Sequence, residues 1–269
     1  MSPRRVVADH HISDTGGDRG RTLVFAHGFG CDQHMWRFVA PHFAAEHRVV
    51  LFDHVGAGGA QAPYDAEKYS SLDGYADDVV RIVTELDLRD VVLVGHSVSS
   101  MIGVLAQRRA PERFAALALV SPSPRYIDDY GYTGGFQASD IDDLITALSD
   151  NYLGWSTQMA PVIMGNSDRP ELAAELSQSF CQADPAIAER FATVTFYGDN
   201  RADLPHVTVP TLVLQCRDDA IAPVAVGEYV AEAIPDSSLV VLDATGHCPN
   251  LSAPRQVVQE LRTFLAGLG

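Results

Sequence analysis

Short apolar runs alternate with helical stretches over the first and last parts of this chain. Each run is rich in Val, Leu, Ile, Phe or Ala and is bounded by turn residues, which is typical of a buried strand. The predicted strands cover 22–26, 48–52, 91–94, 114–120, 211–215 and 239–242. Apolar residues at helical spacing predict a helix over 72–86. Such alternation predicts a mostly parallel sheet with helices on both faces.

Two shorter stretches near the N-terminus add to this pattern. The residues up to about Ser13 predict one or two edge strands, and a short helix is expected near 35–43.

The middle of the chain has a different pattern. From about Ser123 to Asp203 there is no strand-like run, and apolar residues recur at helical spacing instead. Helices are expected over 139–150, 152–164, 170–183 and 185–197, with Asp140, Asp168 and Asp184 near their starts as caps. The chain therefore divides into a first core part (1–122), an inserted helical lid (123–203) and a second core part (204–269). Lids exclude water from a site and shape its pocket.

The sharpest chemical signal is a serine that follows a buried strand. Val91–Val94 runs into Gly95-His96-Ser97-Val98-Ser99, and a helical run follows. A small-x-Ser-x-small turn between a strand and a helix is the nucleophile elbow of an α/β-hydrolase, in which the serine hydroxyl is lifted clear of the sheet. Ser99 stands where that pattern usually has Gly. The alternative is a chance Gly-x-Ser in an ordinary strand-to-helix loop.

An acid and a histidine follow two later strands, in the chain order that this fold requires. The strand 211–215 leads to Asp218 and Asp219, and the strand 239–242 leads to His247. The acid of α/β-hydrolases usually stands four residues before a proline. Asp219 stands four before Pro223, so we expect Ser97, Asp219 and His247 to form the triad, with Asp218 as a solvated neighbour.

Two backbone N–H groups should bind the oxyanion of a serine hydrolase. One belongs to Val98, the residue after the nucleophile. The loop His27-Gly28-Phe29-Gly30 follows an early strand, and by position Phe29 supplies the second N–H. His96 is expected to shape the elbow rather than to transfer protons.

Large apolar side chains in and near the lid are candidates for the substrate pocket. They could equally pack the lid helices together. The candidates are Phe29, Phe136, Trp155, Met159, Phe191 and Phe196.

Composition and charge exclude several classes of partner and cofactor. The 269 residues carry a net charge of −16, so neither nucleic acid nor an anionic membrane is an expected partner. The four cysteines lack CxxC spacing, which argues against zinc, and Gly56-Ala57-Gly58-Gly59 lacks the third glycine of a dinucleotide loop. No long apolar run follows Met1, so we expect neither a signal peptide nor a membrane span, and a cytoplasmic location.

Several tracts together resemble one group of α/β-hydrolases. They are Phe29-Gly30-Cys31-Asp32-Gln33, Leu72-Asp73-Gly74-Tyr75-Ala76, Gly95-His96-Ser97-Val98, Asp150-Asn151-Tyr152-Leu153-Gly154-Trp155 and Gly246-His247-Cys248-Pro249. From about Phe25 to the C-terminus, the chain resembles the subfamily of bacterial RsbQ and the plant strigolactone and karrikin receptors. This resemblance implies an α/β-hydrolase fold with a mostly parallel eight-stranded sheet, a four-helix V-shaped lid and a small hydrophobic ligand.

Two functions fit these observations. The first is a serine esterase that hydrolyses a small hydrophobic ester or lactone in two steps, with no metal or organic cofactor. The second is a slow-turnover sensor of a stress-response type, whose lid contacts a regulatory protein partner. Asp128, Asp129, Asp142 and Asp143 are candidates for that contact, although such charges usually form a solvated surface.

Overall fold

The computed structural model describes residues 3–17 and 20–269, and its centre is a sheet that has seven strands in these ranges. The strands are β1 Ser13–Gly16, β2 Thr22–Ala26, β3 Arg48–Phe52, β4 Val91–His96, β5 Phe114–Val120, β6 Thr211–Asp218 and β7 Ser237–Thr245. The helices are α1 Pro3–Asp9, α2 Leu72–Glu85, α3 Val98–Arg109, α4 Ala138–Asp150, α5 Tyr152–Met164, α6 Pro170–Phe180, α7 Pro185–Phe196, α8 Val224–Ala233, α9 Pro249–Ser252 and α10 Pro254–Gly267.

The order of the strands explains where a site can form. The spatial order is β1-β3-β2-β4-β5-β6-β7, and all pairs are parallel except β1 with β3. The chain steps outward from β2 to β3 and then returns to place β4 on the other side of β2. Ligands of open α/β sheets bind at such a reversal, beyond the carboxyl ends of the strands. Ala26 and Gly95 pair at that end of β2 and β4.

Two apolar layers cover the sheet, one on each face. Alternate residues of β2 divide between them: Leu23 and Phe25 pack in one cluster, and Val24 and Ala26 in the other. Every residue of β2 and β4 is buried, as expected for central strands covered on both faces. The predicted α/β-hydrolase architecture is therefore confirmed.

Two predictions at the N-terminal end were wrong. The expected eighth strand is absent from the described ranges, because the residues before Ser13 form helix α1, which begins at a proline. The helix expected near 35–43 is two 3₁₀ turns, Gln33–Trp36 and Ala40–His42. Pro41 lies within the second turn, and its missing N–H group and its ring are incompatible with the interior of a continuous helix.

The four helices predicted after β5 are present as α4 to α7. Asp184 caps α7 by accepting hydrogen bonds from the N–H groups of Ala186 and Ile187, as predicted. Over residues 3–17 and 20–269, no helix has the length and apolar character needed to cross a membrane.

Candidate active site

Ser97 lies at the sharp turn between β4 and α3. Its backbone has φ 54° and ψ −122°, a strained conformation for a residue with a side chain. The turn is tight, because a Cβ on Gly95 would lie 2.5 Å from the carbonyl oxygen of Ser99. The Ser97 N–H donates to the carbonyl of Val120 on the neighbouring strand, at 2.8 Å, which holds the strained turn in place.

A buried chain of hydrogen bonds runs from Ser97 to an acid. The Ser97 hydroxyl donates to Nε2 of His247 at 2.8 Å, and Nδ1–H of His247 donates to Oδ2 of Asp219 at 2.7 Å. All three residues are buried. The three residues predicted for the triad are thus brought together with hydrogen-bond geometry along the whole chain.

The position of Asp219 separates it from its neighbour Asp218. Oδ1 of Asp219 accepts the N–H groups of Ile221 at 2.8 Å and Ala222 at 3.1 Å, which leaves Oδ2 for His247. Asp218 is exposed. The turn toward Pro223 supplies both N–H groups, and this explains why the spacing to a proline marks the acid.

The two predicted oxyanion donors lie beside Ser97. Val98 is the first residue of α3, so its N–H has no acceptor within the helix and lies at the positive end of the helix dipole. The loop that carries Phe29 passes close to the nucleophile, since a Cβ on Gly28 would lie 3.3 Å from the Cβ of Ser97 and 2.5 Å from Nδ1 of His96.

An apolar cavity with about 520 Å³ of empty volume opens at Ser97 and His247. Four of the predicted pocket residues line it: Phe29, Trp155, Met159 and Phe196. Further apolar lining residues are Leu144, Ile163, Leu176, Phe180 and Ile221. Most of these side chains come from α4 to α7, so the helical segment forms much of the cavity wall.

Phe136 and Phe191, also predicted as pocket residues, do not line this cavity, although Phe191 lines a neighbouring pocket together with Phe29. The backbone of Phe136 pairs with that of Tyr126 and Asp128, ahead of α4. The ring of Phe191 lies 5.8 Å from that of Phe29 between centres and stacks on Tyr75 at 4.4 Å.

Tyr126 is a site residue that sequence reasoning missed. Its buried hydroxyl lies 3.4 Å from Oγ of Ser97, and burial raises its pKa, so it stays protonated. The only sequence signal is its place just after β5, in the proline-rich tract Ser121-Pro122-Ser123-Pro124-Arg125-Tyr126.

Two cysteines also line the cavity. Burial raises the pKa of the Cys31 thiol to about 12 and raises that of Cys248 as well. Both are therefore neutral thiols that add apolar surface and do not compete with Ser97 as nucleophiles. Within the described ranges, no group of three or more His, Cys, Asp or Glu residues is arranged to hold a metal ion.

His96 contacts both the base and the loop of Phe29. Its Nε2–H donates to the carbonyl oxygen of His247 at 2.8 Å, and burial lowers its pKa to about 3. The low pKa makes this ring a weak proton acceptor at ordinary pH, which agrees with the expected shaping role.

The loop that carries His247 is attached to the end of α5. The His247 N–H donates to the carbonyl of Ile163 at 2.8 Å, and the Asn166 amide donates to the carbonyl of Thr245 at 2.8 Å. A Cβ on Gly246 would lie 1.8 Å from the carbonyl oxygen of Met164, so only glycine allows this approach. The proposed base is thus bonded directly to the helical segment.

The glycine-rich loop after β3 packs against the buried carboxylate of Asp53. Asp53 is buried and accepts the N–H groups of Gln33 and Gly59, both at 2.8 Å. A Cβ on Gly58 would lie 2.3 Å from the Asp53 carboxylate. The glycines therefore let this loop fold around Asp53.

Comparison with known proteins agrees with this geometry. Residues 23–260 match the model of the alpha/beta hydrolase family. The chain is 40% identical over 258 residues to "Karrikin insensitive 2 receptor CA" of Petunia hybrida, covering 95% of this chain and 96% of that protein. It is 39% identical over 268 residues to "Strigolactone esterase D14" of Arabidopsis thaliana, covering 98% and 99%.

A solved structure shows the same fold throughout. The hydrolase olei00960 of Oleispira antarctica superposes with a TM-score of 0.96 and 40% identity, over 99% of this chain and 98% of that one. The expected resemblance to strigolactone and karrikin receptors is confirmed by these relatives.

Proposed function

We propose that this chain, which belongs to the alpha/beta hydrolase family, hydrolyses a small hydrophobic ester or lactone through Ser97, His247 and Asp219. The observation that carries the proposal is the buried hydrogen-bond chain from the Ser97 hydroxyl through His247 to Asp219. The Arabidopsis thaliana relative is likewise named an esterase.

The first step forms an acyl-enzyme. Nε2 of His247 accepts the Ser97 proton while Oγ bonds to the substrate carbonyl carbon, and the carbonyl electron pair moves to oxygen. The N–H groups of Phe29 and Val98 bind that oxyanion. When the tetrahedral intermediate collapses, the C–O bond to the leaving group breaks and His247 returns the proton to the leaving oxygen.

The second step releases the acid. A water molecule gives a proton to His247 and attacks the acyl carbon, and Ser97 leaves with the proton that His247 then returns. Asp219 accepts the Nδ1–H throughout, which keeps Nε2 free to accept a proton and stabilises the imidazolium. No step requires a metal or an organic cofactor.

The cavity supports the substrate class. Its wall is mainly aromatic and aliphatic, and polar atoms of Ser97, His247 and Tyr126 lie together in it. Such a site suits a compact apolar molecule with one carbonyl to orient. We propose that the segment 123–203 acts as a lid over this molecule.

The direct test is Ser97→Ala, assayed on nitrophenyl esters of short and long acyl chains and on a butenolide ester. We expect turnover to be abolished and the thermal unfolding midpoint to stay close to that of the wild type. Full activity in Ser97→Ala would refute the mechanism.

A second candidate function is a sensor, favoured by the receptor name of the Petunia hybrida relative. A sensor of RsbQ-like type would turn over slowly, and a protein partner at the lid would respond to the ligand. Three of the acidic residues considered for that contact are bonded within the chain: Asp128 to Gly134 and Gly135, Asp129 to Arg201, and Asp142 to Tyr197. Leu153 and Val162 on α5 are exposed and offer an apolar alternative.

The same assay separates the two functions. Many rapid turnovers of one ester support a metabolic esterase. Cleavage that stalls near one equivalent of product, and that is lost in Ser97→Ala, supports the sensor.

A further inference from the structure

We propose that a buried ring of hydrogen bonds through His27, His54 and Ser99 positions the oxyanion loop. Ser99 is then a positioning residue for the reaction, and its hydroxyl explains why this elbow has Ser in place of the usual Gly. The inference rests on the proposed serine-hydrolase function.

Four hydrogen bonds define the ring. The Ser99 hydroxyl donates to the carbonyl of His27, and Nε2 of His54 lies 2.8 Å from Oγ of Ser99. The His54 backbone N–H donates to Nε2 of His27 at 3.0 Å, and Nδ1 of His27 lies 2.9 Å from the carbonyl of Gly28.

The pairing fixes where each proton lies. The Ser99 hydroxyl has one proton and donates it to the His27 carbonyl, so Nε2 of His54 must be protonated and donate to Oγ. Nε2 of His27 accepts the His54 N–H, so Nδ1 of His27 carries the proton that it donates to Gly28. Each bond therefore has one donor and one acceptor, and both rings are neutral.

The surroundings keep the ring in this state. His27 and Ser99 are 0% exposed and His54 is 1% exposed. Burial lowers the pKa of His27 and lowers that of His54 further below its usual value. Neutral, water-excluded groups with fixed tautomers form a rigid connection.

The ring joins the two backbones that carry the oxyanion donors. His27 and Gly28 lead directly into Phe29, whose N–H is one proposed donor. Ser99 follows Val98, whose N–H is the other. A hydrogen bond from Ser99 to the His27 carbonyl therefore ties the two donors to each other across the site.

Alanine at position 99 would break this tie at two points. The His27 carbonyl would lose its donor, and Nε2–H of His54 would lose its acceptor, in a place that water does not reach. The peptide between residues 27 and 28 could then rotate, which would displace the Phe29 N–H from the oxyanion.

The test uses Ser99→Ala with Ser100→Ala as a matched control. Ser100 is also 0% exposed, lies on the same helix turn and donates its hydroxyl to a backbone carbonyl, that of Gly95, without contacting the oxyanion loop. Each variant is assayed well below its unfolding temperature. The assay gives kcat and KM for nitrophenyl acetate and the inhibition constant of phenylboronic acid. The boronate forms a tetrahedral adduct with Ser97 that mimics the charged intermediate.

We expect Ser99→Ala to lower kcat about 10-fold and to weaken the binding of phenylboronic acid by a similar factor. KM should change less than about 2-fold, because only transition-state contacts are lost. Ser100→Ala should change all three constants by less than about 2-fold. Equal losses in the two variants, or a normal kcat in Ser99→Ala, would overturn the proposal.

A second pair of variants decides the question if Ser99→Ala does not fold. The amide nitrogen of Gln reaches the position of Nε2 of histidine and can donate to Ser99, whereas Met has similar length and no donor. His54→Gln should keep kcat within about 3-fold of the wild type, and His54→Met should lose about 10-fold. Equal activity of the two would refute the role of the His54 donor.

A failure of the positioning role can be distinguished from a failure of the proposed hydrolase function. If Ser97→Ala retains activity, the serine mechanism itself is wrong. If Ser97→Ala is inactive and Ser99→Ala is normal, only the positioning role fails.

Discussion

Replacing Asp219 with Asn should leave the fold almost unchanged and yet disable the base. The side-chain amide has one oxygen and one NH₂ group, and two orientations are available to it. The N–H groups of Ile221 and Ala222 both donate to Oδ1, at 2.8 and 3.1 Å. An NH₂ group placed there would leave these two buried donors without an acceptor, at about 1–3 kcal/mol each.

The amide oxygen must therefore occupy the Oδ1 position, and the NH₂ group faces His247. Nδ1 of His247 then accepts this hydrogen bond, so the ring proton moves to Nε2. Nε2–H donates to Ser97 and cannot accept its proton. In the serine-protease template, the same wrong tautomer lowers kcat about 10⁴-fold, or roughly 5.5 kcal/mol of barrier, and we expect a loss of that order here.

The assay is the rate of nitrophenyl acetate hydrolysis at pH 7.5, with Asp218→Asn as the matched control. Asp218 is adjacent and exposed, and its backbone carbonyl accepts the Gly246 N–H at 2.7 Å, a bond that Asn at this position keeps. The control should retain wild-type activity within about 2-fold. More than a tenth of wild-type kcat in Asp219→Asn, or an equal loss in Asp218→Asn, would refute the reasoning.

Two further predictions concern stability and specificity. Burial lowers the pKa of His10, His27, His54 and His96, so each neutral ring gains a proton on unfolding below about pH 6.5. The stabilisation from the neutral rings is therefore complete above that pH. Below it, the free energy of unfolding decreases by up to about 1.4 kcal/mol per pH unit for each ring. Urea unfolding at pH 7.5, 6.5 and 5.5 measures this decrease, and identical midpoints would contradict it. Trp155→Ala should lower the free energy of unfolding by about 3–5 kcal/mol and, because Trp155 lines the cavity, raise kcat/KM for long-chain relative to short-chain nitrophenyl esters. An unchanged chain-length preference would show that this ring does not limit the substrate.

The positions of the proposed catalytic groups were predictable because topology determines them. Parallel strands end at one edge of the sheet, so residues that follow β4, β6 and β7 meet there in any fold of this kind. The choice of Asp219 over Asp218 depended on the spacing to Pro223. The structure supplies the physical reason in the two N–H groups of the intervening turn.

The pocket was harder to predict, because composition does not say which way a side chain faces. Phe191 and Phe196 both lie on α7, five residues apart, and so point about 140° from each other around the helix. Only tertiary packing decides that Phe196 faces Ser97 while Phe191 faces Tyr75. Tyr126 lies in irregular backbone after β5, where no periodic pattern predicts orientation.

The bond between the His247 N–H and the Ile163 carbonyl has a thermodynamic consequence. Ile163 is near the end of α5, where helix carbonyls lack intrahelical partners, and α5 also presents Trp155 and Met159 to the cavity and Leu153 and Val162 to solvent. Helix α5 thus lines the cavity, bonds to the loop that carries His247 and forms part of the outer surface. If a cavity ligand and an external protein both bind more tightly to the same position of α5, each must raise the affinity of the protein for the other by one common factor. An allosteric coupling free energy of about 1.4 kcal/mol corresponds to a tenfold change in affinity.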